Sequence, residues 1–408
     1  MERVILHSDL NNFFASVELL NHPELANVPV AVIGDPDMRH GIVLSKNYAA
    51  KEYGIRTAET VWEAKKKCPK IVFLGAHYDL YEKYSKLVHK IYSDYTDMIE
   101  PFGIDECWLD VTGSVSLFGN GERIADDIRR RVREELGLTV SVGVSFNKVF
   151  SKLGSDMKKP DATTVIGIDD FREKIWSLPA SDMLFVGKKT SEKLRRCGLK
   201  TIGDVAKCDP SFLKSIFGKN GLMLYDFANG KDCSPVSFYE ETTPPKSIGN
   251  STTAPRDLVG DSDIDIVLYK LCESVSERMR SVGVVCRTVQ IYVRYKDLHS
   301  LERQMTLDYP NRTVRSLYES SRCLMRKHDL IKGPIRSLGV RGCELIRDFE
   351  EQLSFLPEIS RLQRAEDIDN TVDCLRRKYG NEAIVRGIML TDKLLSTKYT
   401  HGSFGVNR

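Results

Sequence analysis

The sequence predicts an α+β protein with several domains, and three observations support this. With 408 residues, 41% of them hydrophobic, the chain is too long for one ordinary core and suggests two to four domains. Residues 3–145 predict the order strand–helix, then strand–strand–helix–strand, which suits an antiparallel-rich sheet with helices on one face. Residues 246–347 predict the order β-α-β-β-α-β, which indicates a second, split-βαβ domain.

The elements of the first block follow from hydrophobic periodicity and β-branched runs. Residues 3–9 predict a buried strand ending in Asp9, and Gly103 marks a tight turn between two strands within 98–111. The other predicted strands are 29–34, 41–45 and 139–145. The predicted helices are 10–20, 48–53, 61–67, 79–98, 121–136 and one that begins near Asn147.

The second half begins with a compact helical unit. Two helices are predicted within 178–206, and a polar, proline-containing linker follows at 232–245. Beyond the linker, strands are predicted at 246–253, 285–296, 300–308 and 334–347, with helices at 260–281 and 311–328. Residues 349–408 predict a helical tail of mixed charge, with disorder expected from 396 onward.

Composition excludes several classes of protein. The ten cysteines form no CxxC pair and are too scattered for a small disulfide framework, so free thiols are expected. No apolar run is long enough to span a bilayer, and the N-terminus lacks a signal peptide's apolar core. We therefore expect a cytoplasmic protein without a membrane partner. The net charge of only +3 means that nucleic-acid binding must be sought in local charge.

Three acidic residues form the candidate catalytic cluster. Asp9 ends one predicted strand, while Asp105 and Glu106 lie between two others. If these strands are neighbours, three carboxylates meet at one sheet edge, where a divalent cation would relieve their repulsion. Two Mg²⁺ ions there would suit phosphoryl or nucleotidyl transfer, and Mn²⁺ is expected to substitute. The plainer alternative is that each acid caps a helix or lies in a solvated turn.

Residues 9–18, 104–111, 141–148 and 155–160 form the motifs around these acids. They resemble the motifs of the Y-family, the lesion-bypass DNA polymerases. Asp9-Leu10-Asn11-Asn12-Phe13-Phe14-Ala15-Ser16-Val17-Glu18 resembles the first catalytic motif. Ile104-Asp105-Glu106-Cys107-Trp108-Leu109-Asp110-Val111 resembles the second, with Gly103 in place of the usual serine. Residues 141–148 and 155–160 resemble the third. The resemblance covers residues 3–395, in the family's order and spacing.

The resemblance implies a right-hand polymerase whose parts have predictable bounds. These parts are a ferredoxin-like palm (1–10 and 78–166), small fingers (11–77), a helical thumb with a helix-hairpin-helix (167–231), the linker (232–245), a split-βαβ little finger that binds DNA (246–348), and the tail (349–408). It also implies low-fidelity synthesis across damaged template, without proofreading. The tail is similar to that of UmuC-like and DinB-like proteins, so either type remains open.

The resemblance assigns roles to individual residues. Asp9, Asp105 and Glu106 would hold the metals, together with the backbone carbonyl of Leu10. The nucleotide-binding positions are Phe13, Phe14, Tyr48, Lys51 and Lys159. Phe14 is at the steric-gate position, where an aromatic ring excludes ribonucleotides. Lys51 replaces a usual arginine, and Ile42 and Leu44 would roof the templating base tightly, so large lesions are expected to be disfavoured.

Several segments are predicted to bind DNA or the bacterial sliding clamp. Gly187, Lys188, Lys189 and Thr190 resemble the phosphate-binding turn of a helix-hairpin-helix. Residues 247–347 contain 17 lysines and arginines against 12 acids, with Arg287, Arg294, Arg336 and Arg341 on strands. A solvated sheet face is the alternative. Gln352, Leu353, Phe355 and Leu356 resemble a clamp-binding peptide.

Three functions therefore remain in view. The leading one is an active translesion polymerase, expected to be a monomer that uses primer-template DNA and dNTPs. The second is a DNA-binding accessory subunit that has lost catalysis, which the presence of all three carboxylates argues against. The third is a nucleotide cyclase, which also places acids on a ferredoxin-like palm. The helix-hairpin-helix, the basic distal domain and the clamp peptide would have no use in a cyclase.

Overall fold

The computed structural model describes residues 2–34, 41–239, 245–347 and 357–396. The strands are β1 (Ile5–Leu10), β2 (Val30–Ile33), β3 (Val43–Lys46), β4 (Val72–Gly75), β5 (Ile99–Pro101), β6 (Glu106–Asp110), β7 (Val140–Ser145), β8 (Thr163–Ile166), β9 (Ser247–Leu258), β10 (Val284–Tyr295), β11 (Ser300–Asn311) and β12 (Ile335–Arg347). Across these ranges the elements fall into two compact units, one within 2–239 and one within 245–396.

The first unit contains twelve described α-helices. They are α1 (Phe13–Asn21), α2 (Tyr48–Glu52), α3 (Val61–Lys67), α4 (Tyr78–Ser93), α5 (Val115–Phe118), α6 (Gly121–Leu136), α7 (Lys148–Met157), α8 (Phe171–Ile175), α9 (Lys188–Arg196), α10 (Ile202–Lys207), α11 (Pro210–Phe217) and α12 (Lys219–Ala228). The second unit has α13 (Gly260–Ser281), α14 (Val314–Lys327), α15 (Pro357–Tyr379) and α16 (Lys393–Ser396). In the parts of the chain that the structure describes, no helix has the length and apolar character needed to cross a membrane.

A five-stranded sheet in the order β5-β6-β1-β7-β8 forms the centre of the first unit. All its neighbouring strands are antiparallel except β7 and β8, which are parallel. Helices α4 and α6 cover one face, where Leu6 of β1 shares a core with Val88 and Ile124. This burial provides the main stabilisation of the sheet.

The prediction of helices on one face of this sheet is wrong, because α7 covers the other face. All six residues of β1 are buried, and His7 Nδ1 lies 2.8 Å from Ser155 Oγ of α7. Gly143 of β7 allows this close approach, since a Cβ there would lie 1.9 Å from the backbone oxygen of Ser151. The β1 strand therefore ends between two helical layers, which places Asp9 in a sheltered position.

A smaller sheet and a helical cluster complete the first unit. The sheet has the order β3-β2-β4, and its core includes Val43, Ala50 and Ala64. Strand β4 was not predicted; it pairs in parallel with β2. Helices α8 to α12 share a separate core with α7, containing Phe150, Phe171 and other apolar side chains.

The second unit is a four-stranded antiparallel sheet in the order β11-β10-β12-β9, backed by α13 and α14. Its element order, β-α-β-β-α-β, agrees with the sequence prediction. The described part of the tail belongs to the same unit, because Met389 and Leu395 are buried in its core. Arg280 of α13 also pairs with Asp373 of α15 at 2.7 Å. Residues 357–396 are thus packed into this unit.

Candidate active site

Two strand ends bring the acidic residues together. Asp9 near the end of β1 is paired directly with Glu106 at the start of β6. The backbone N–H of Leu10 donates to the backbone oxygen of Asp105 at 3.0 Å, which fixes the turn before β6. Gly103 lies in this turn, and a Cβ there would be 3.4 Å from Asp105 Oδ1, an ordinary contact distance. The usual serine would therefore fit, so the glycine is not required by space.

Two lysines contact these carboxylates. Lys152 Nζ of α7 lies 2.9 Å from Glu106 Oε2 and 3.3 Å from Asp9 Oδ2. Lys159 Nζ lies 2.8 Å from Asp9 Oδ2 and 2.9 Å from Asp156 Oδ1. The ammonium groups supply the positive charge that close, largely buried carboxylates need.

The electrostatics of the acids follow from these neighbours. Burial raises the pKa of Asp105 to about 6, and the charges of Asp9 and Glu106 add to the effect. Burial would also raise the pKa of Glu106, but His7 and the Lys152 ammonium together lower it. Burial alone would lower the pKa of Lys159, yet Asp9 and Asp156 raise it above its usual value.

The donor set at these strand ends suits a hard divalent cation. All three acids offer oxygen, and the pKa of Asp105 is raised first by burial and then by the negative charges of Asp9 and Glu106. In the described ranges, no three His, Cys, Asp or Glu side chains are already arranged as a metal centre. Because Lys152 Nζ contacts both Asp9 and Glu106, a cation bound by these acids would compete with the lysine.

Phe13 and Phe14, the first two residues of α1, lie in different environments. Phe13 is 3% exposed and packs in the core beneath the sheet. The nucleotide contact predicted for Phe13 stays a prediction. Phe14 is partly buried, and its ring stacks on Tyr81 with centroids 4.2 Å apart and planes 9° apart. Tyr81 in turn donates a hydrogen bond to buried Glu18, so its ring is held in place.

The predicted triphosphate-binding residues lie on two elements. Tyr48 and Lys51 belong to α2, and the Lys51 ammonium lies 5.6 Å from the centre of the Tyr48 ring. Burial raises the pKa of Tyr48, the charge of Lys159 lowers it and the charge of Asp9 raises it further. Asn47 has a structural role, because its Oδ1 accepts from Ala50 N and caps α2.

Ile42 and Leu44 lie on the same side of their chain segment. Both are partly buried, while Val43 between them is fully buried on the opposite side. This placement is compatible with a roof over a templating base. Ala15 N of α1 donates to Ser45 Oγ at 3.4 Å, so this segment is tied to the helix that carries Phe14.

The predicted phosphate-binding turn lies at the beginning of α9. Gly187 is the N-cap, and the side chains of Lys188 and Lys189 are exposed. The first backbone N–H groups of an α-helix lack partners within the helix, so this end of α9 can accept an anion. Phe185 precedes it with a φ of 67° and is 59% exposed.

In the second unit the predicted arginines lie on neighbouring strands. Arg294 of β10 and Arg341 of β12 are on the sheet face that points away from α13, alternating with the buried Val293 and Val340. The Arg341 side chain runs across Gly249, where a Cβ would lie 3.0 Å from its Cγ. Arg287 and Arg336 lie at irregularities of the strand pairing. The clamp-peptide residues Gln352, Leu353, Phe355 and Leu356 lie outside the described residues.

Sequence reasoning missed Lys152, Asp156 and His7 as members of the site. Lys152 and Asp156 are four residues apart on α7, a spacing that brings side chains together on a helix. This spacing is the feature of the sequence that could have linked Asp156 to Lys152. The His7 ring is fully buried, with Nε2 3.6 Å from Glu106 Oε2, and burial lowers its pKa.

Comparisons with known proteins define the family. The impB/mucB/samB family model matches residues 8–156, its C-terminal domain matches 245–355, and the DNA polymerase-iota thumb domain matches 182–232. DNA polymerase IV of Acetivibrio thermocellus is 51% identical over 397 residues, 97% of this chain and 100% of that protein. DNA polymerase IV of Moorella thermoacetica is 38% identical over 388 residues, 95% of this chain and 96% of that protein.

A solved Y-family DNA polymerase chimera has the same fold. It superposes with a TM-score of 0.76 at 24% identity, covering 85% of this chain and 100% of the chimera. The chain belongs to the impB/mucB/samB family, which is the Y-family of DNA polymerases, and is of the DinB type. It is a DNA-directed DNA polymerase that carries out translesion synthesis. The predicted family, fold class and enzyme class are confirmed. The comparisons do not support the two alternatives, a nucleotide cyclase and an accessory subunit without catalysis.

Proposed function

We propose that this polymerase joins nucleotides by two-metal catalysis at Asp9, Asp105 and Glu106, with the backbone carbonyl of Leu10 as a further ligand. The observation that supports this is the direct pairing of Asp9 with Glu106 beside Asp105, together with the lysines drawn to them. Mg²⁺ is the proposed ion and Mn²⁺ a substitute, because the donors are all oxygen. When bound, the ions lower the pKa of the primer 3′-hydroxyl and neutralise the triphosphate.

The test of this proposal is extension of a primed template by one nucleotide with Mg²⁺ present. The wild-type protein should extend the primer, and chelation of the metal should stop extension. Failure of the folded wild-type protein to extend any primed template would contradict the proposal. Binding of Mn²⁺, followed by electron paramagnetic resonance, reports on the site independently of activity.

The chain's own side chains would hold the nucleotide. Lys159 contacts Asp9, and this contact supports a role for its ammonium in binding a triphosphate next to the carboxylates. Lys51 and Tyr48 would contact the same phosphates, with Lys51 acting as a point charge because it lacks the fork of an arginine. Phe14, fixed against Tyr81, would contact the sugar and exclude a 2′-hydroxyl.

The roof residues are proposed to restrict the lesions that are accepted. Extension opposite a bulky minor-groove adduct is expected to be slower than opposite an abasic site, because Ile42 and Leu44 fill the space above the base. Replacing both by alanine should raise adduct bypass on the order of 10-fold relative to abasic bypass. Steady-state extension on matched templates measures this ratio, and unhindered bypass by the wild type would contradict the proposal.

Duplex DNA would be held without base readout by the turn at Gly187, Lys188, Lys189 and Thr190, and by Arg287, Arg294, Arg336 and Arg341. Contacts of a helix N-terminus and of arginines with phosphates position DNA but carry no sequence information. We assign the first sheet to the palm, the β3-β2-β4 sheet to the fingers, α8–α12 to the thumb and the second unit to the little finger.

Replacing Arg336 and Arg341 together by alanine is expected to weaken duplex binding and flatten its salt dependence. Each lost phosphate contact lowers the slope of log K against log salt by about 0.9, so the double variant should lose about 2. The matched control replaces Arg315 and Arg326 of α14, on the helical side of the same unit. A slope unchanged in the first variant, or equally reduced in both, would reject this role.

Further properties rest on the family resemblance. The peptide with Gln352, Leu353, Phe355 and Leu356 is proposed to bind the bacterial sliding clamp. The polymerase is proposed to work as a cytoplasmic monomer, with low fidelity and no proofreading, since the resemblance gives no segment for an exonuclease. A pull-down with purified clamp, with and without Leu353→Ala, tests the first of these; equal recovery would contradict it.

A further inference from the structure

Trp62 on α3 is an exposed aromatic side chain that the site described above does not use. Its side chain is 70% exposed, whereas Trp108 in the same unit is 3% exposed. Its partner in the structure is the Lys66 ammonium, 5.4 Å from the ring centre. Burying a large aromatic ring on binding another molecule would remove much apolar surface from water.

The charges around Trp62 indicate what kind of molecule would cover it. The other exposed positions of α3 are Glu63 and three successive lysines, Lys65, Lys66 and Lys67. Glu63 is used in the capping box with Thr60, and Glu59 is paired with Lys67 at 2.6 Å. Within the described ranges, Lys65 and Lys66 have no ion-pair partner, so the surface beside the indole carries a net positive charge.

The location of α3 connects this surface with the roof. Ile42 forms a β-bridge with Thr60, the N-cap of α3. Val43 N also donates to Glu59 O at 2.8 Å, and Ala58 N donates to Val43 O at 2.8 Å. The segment before Trp62 is thus bonded to the roof residues through the backbone. Trp62 is two residues beyond Thr60, the residue that forms the bridge with Ile42.

We propose that Trp62, with Lys65 and Lys66, is a stacking platform for the unpaired template strand ahead of the nascent base pair. This rests on the proposed function, because it takes Ile42 and Leu44 as the roof. Proteins hold single strands by stacking bases on aromatic rings while basic side chains bind the backbone. The other exposed residues of α3 are all charged and mostly basic, which favours a nucleic acid over an apolar protein surface.

The expected result is a loss of affinity confined to DNA with a single-stranded template overhang. Fluorescence anisotropy compares a labelled duplex with a 5′ template overhang of several nucleotides and the same duplex with a blunt end, both without metal or nucleotide. Trp62→Ala should weaken overhang binding about 10-fold, which matches one lost stacking contact. Binding to the blunt duplex should stay the same. Trp62→Phe should restore most of the loss, because it keeps an aromatic ring.

The lysines have a matched control. Lys65→Ala with Lys66→Ala should weaken overhang binding and lower its salt slope, whereas Lys83→Ala with Lys90→Ala on the exposed side of α4 should not. The proposed stacking platform would be wrong if Trp62→Ala weakened binding to the overhang and blunt-ended DNAs equally, or if it left binding to the overhang DNA unchanged. Since the assay contains no metal or nucleotide, its outcome is independent of primer extension, which tests the proposed function separately.

Discussion

Asp105→Asn is expected to reduce single-nucleotide extension by well over 100-fold. Loss of groups that only support a metal ligand costs about 10–100-fold, so loss of a ligand itself should cost more. Asparagine keeps the shape of the side chain, and the backbone bond from Leu10 N to Asp105 O does not depend on the carboxylate. The charge is therefore the main property that changes. Single-turnover extension on a primed template measures the effect.

The matched control is Asp97→Asn, an exposed acid in the same unit. It should retain wild-type extension and the same melting temperature. Mn²⁺ binding should weaken in the Asp105 variant and not in the Asp97 variant. If Asp105→Asn kept extension within a few-fold of wild type, the proposed metal-binding role of Asp105 would be wrong.

Phe14→Ala is expected to lower the preference for deoxynucleotides over ribonucleotides on the order of 100-fold, the discrimination that a close-fitting apolar contact can supply. The Phe14 ring is held against Tyr81 at a 4.2 Å centroid distance, and Tyr81 is anchored by Glu18. Removing the ring leaves space for a 2′-hydroxyl, so kcat/KM for ribonucleotides should rise. The ratio of kcat/KM values for dNTP and rNTP is the measurement.

Phe14→Tyr is the control, because it retains the flat ring at the same position. It should keep most of the sugar discrimination. A second control is Tyr81→Phe, which keeps the stacking partner but loses the hydrogen bond to Glu18. If Phe14→Ala and the wild type discriminated equally between dNTP and rNTP, Phe14 would not be the residue that excludes ribonucleotides.

Local signals in the sequence were sufficient for the long elements. Helix α6 has the predicted bounds because Asn120 caps it through Arg123 N and Gly137 ends it with a φ of 67°. Strands β4 and β8 were missed because each has four residues and joins its sheet by a parallel, non-local pairing. The second helical layer on β1 was missed because His7 and Asp9, which face α7, are polar although buried.

The candidate site also contains some residues that the sequence predicts and others that only the structure reveals. The three carboxylates could be predicted, since a motif and the strand ends specify them. Lys152 could not, because a lysine within a helix usually lies in solvent, and its partner Asp9 is 143 residues away along the chain. The separation of Phe13 from Phe14 needed the structure, since only the packing of α1 decides which ring is buried.

The packing of residues 357–396 into the second unit has a consequence for the proposed clamp-binding peptide. The nine residues 348–356 join the end of β12 at Arg347 to the start of α15 at Pro357, and both elements belong to that unit. A fully extended segment of this length spans at most about 30 Å. If a clamp bound this peptide, the peptide would be anchored to the second unit at both ends, and its length would limit the distance between the clamp and that unit.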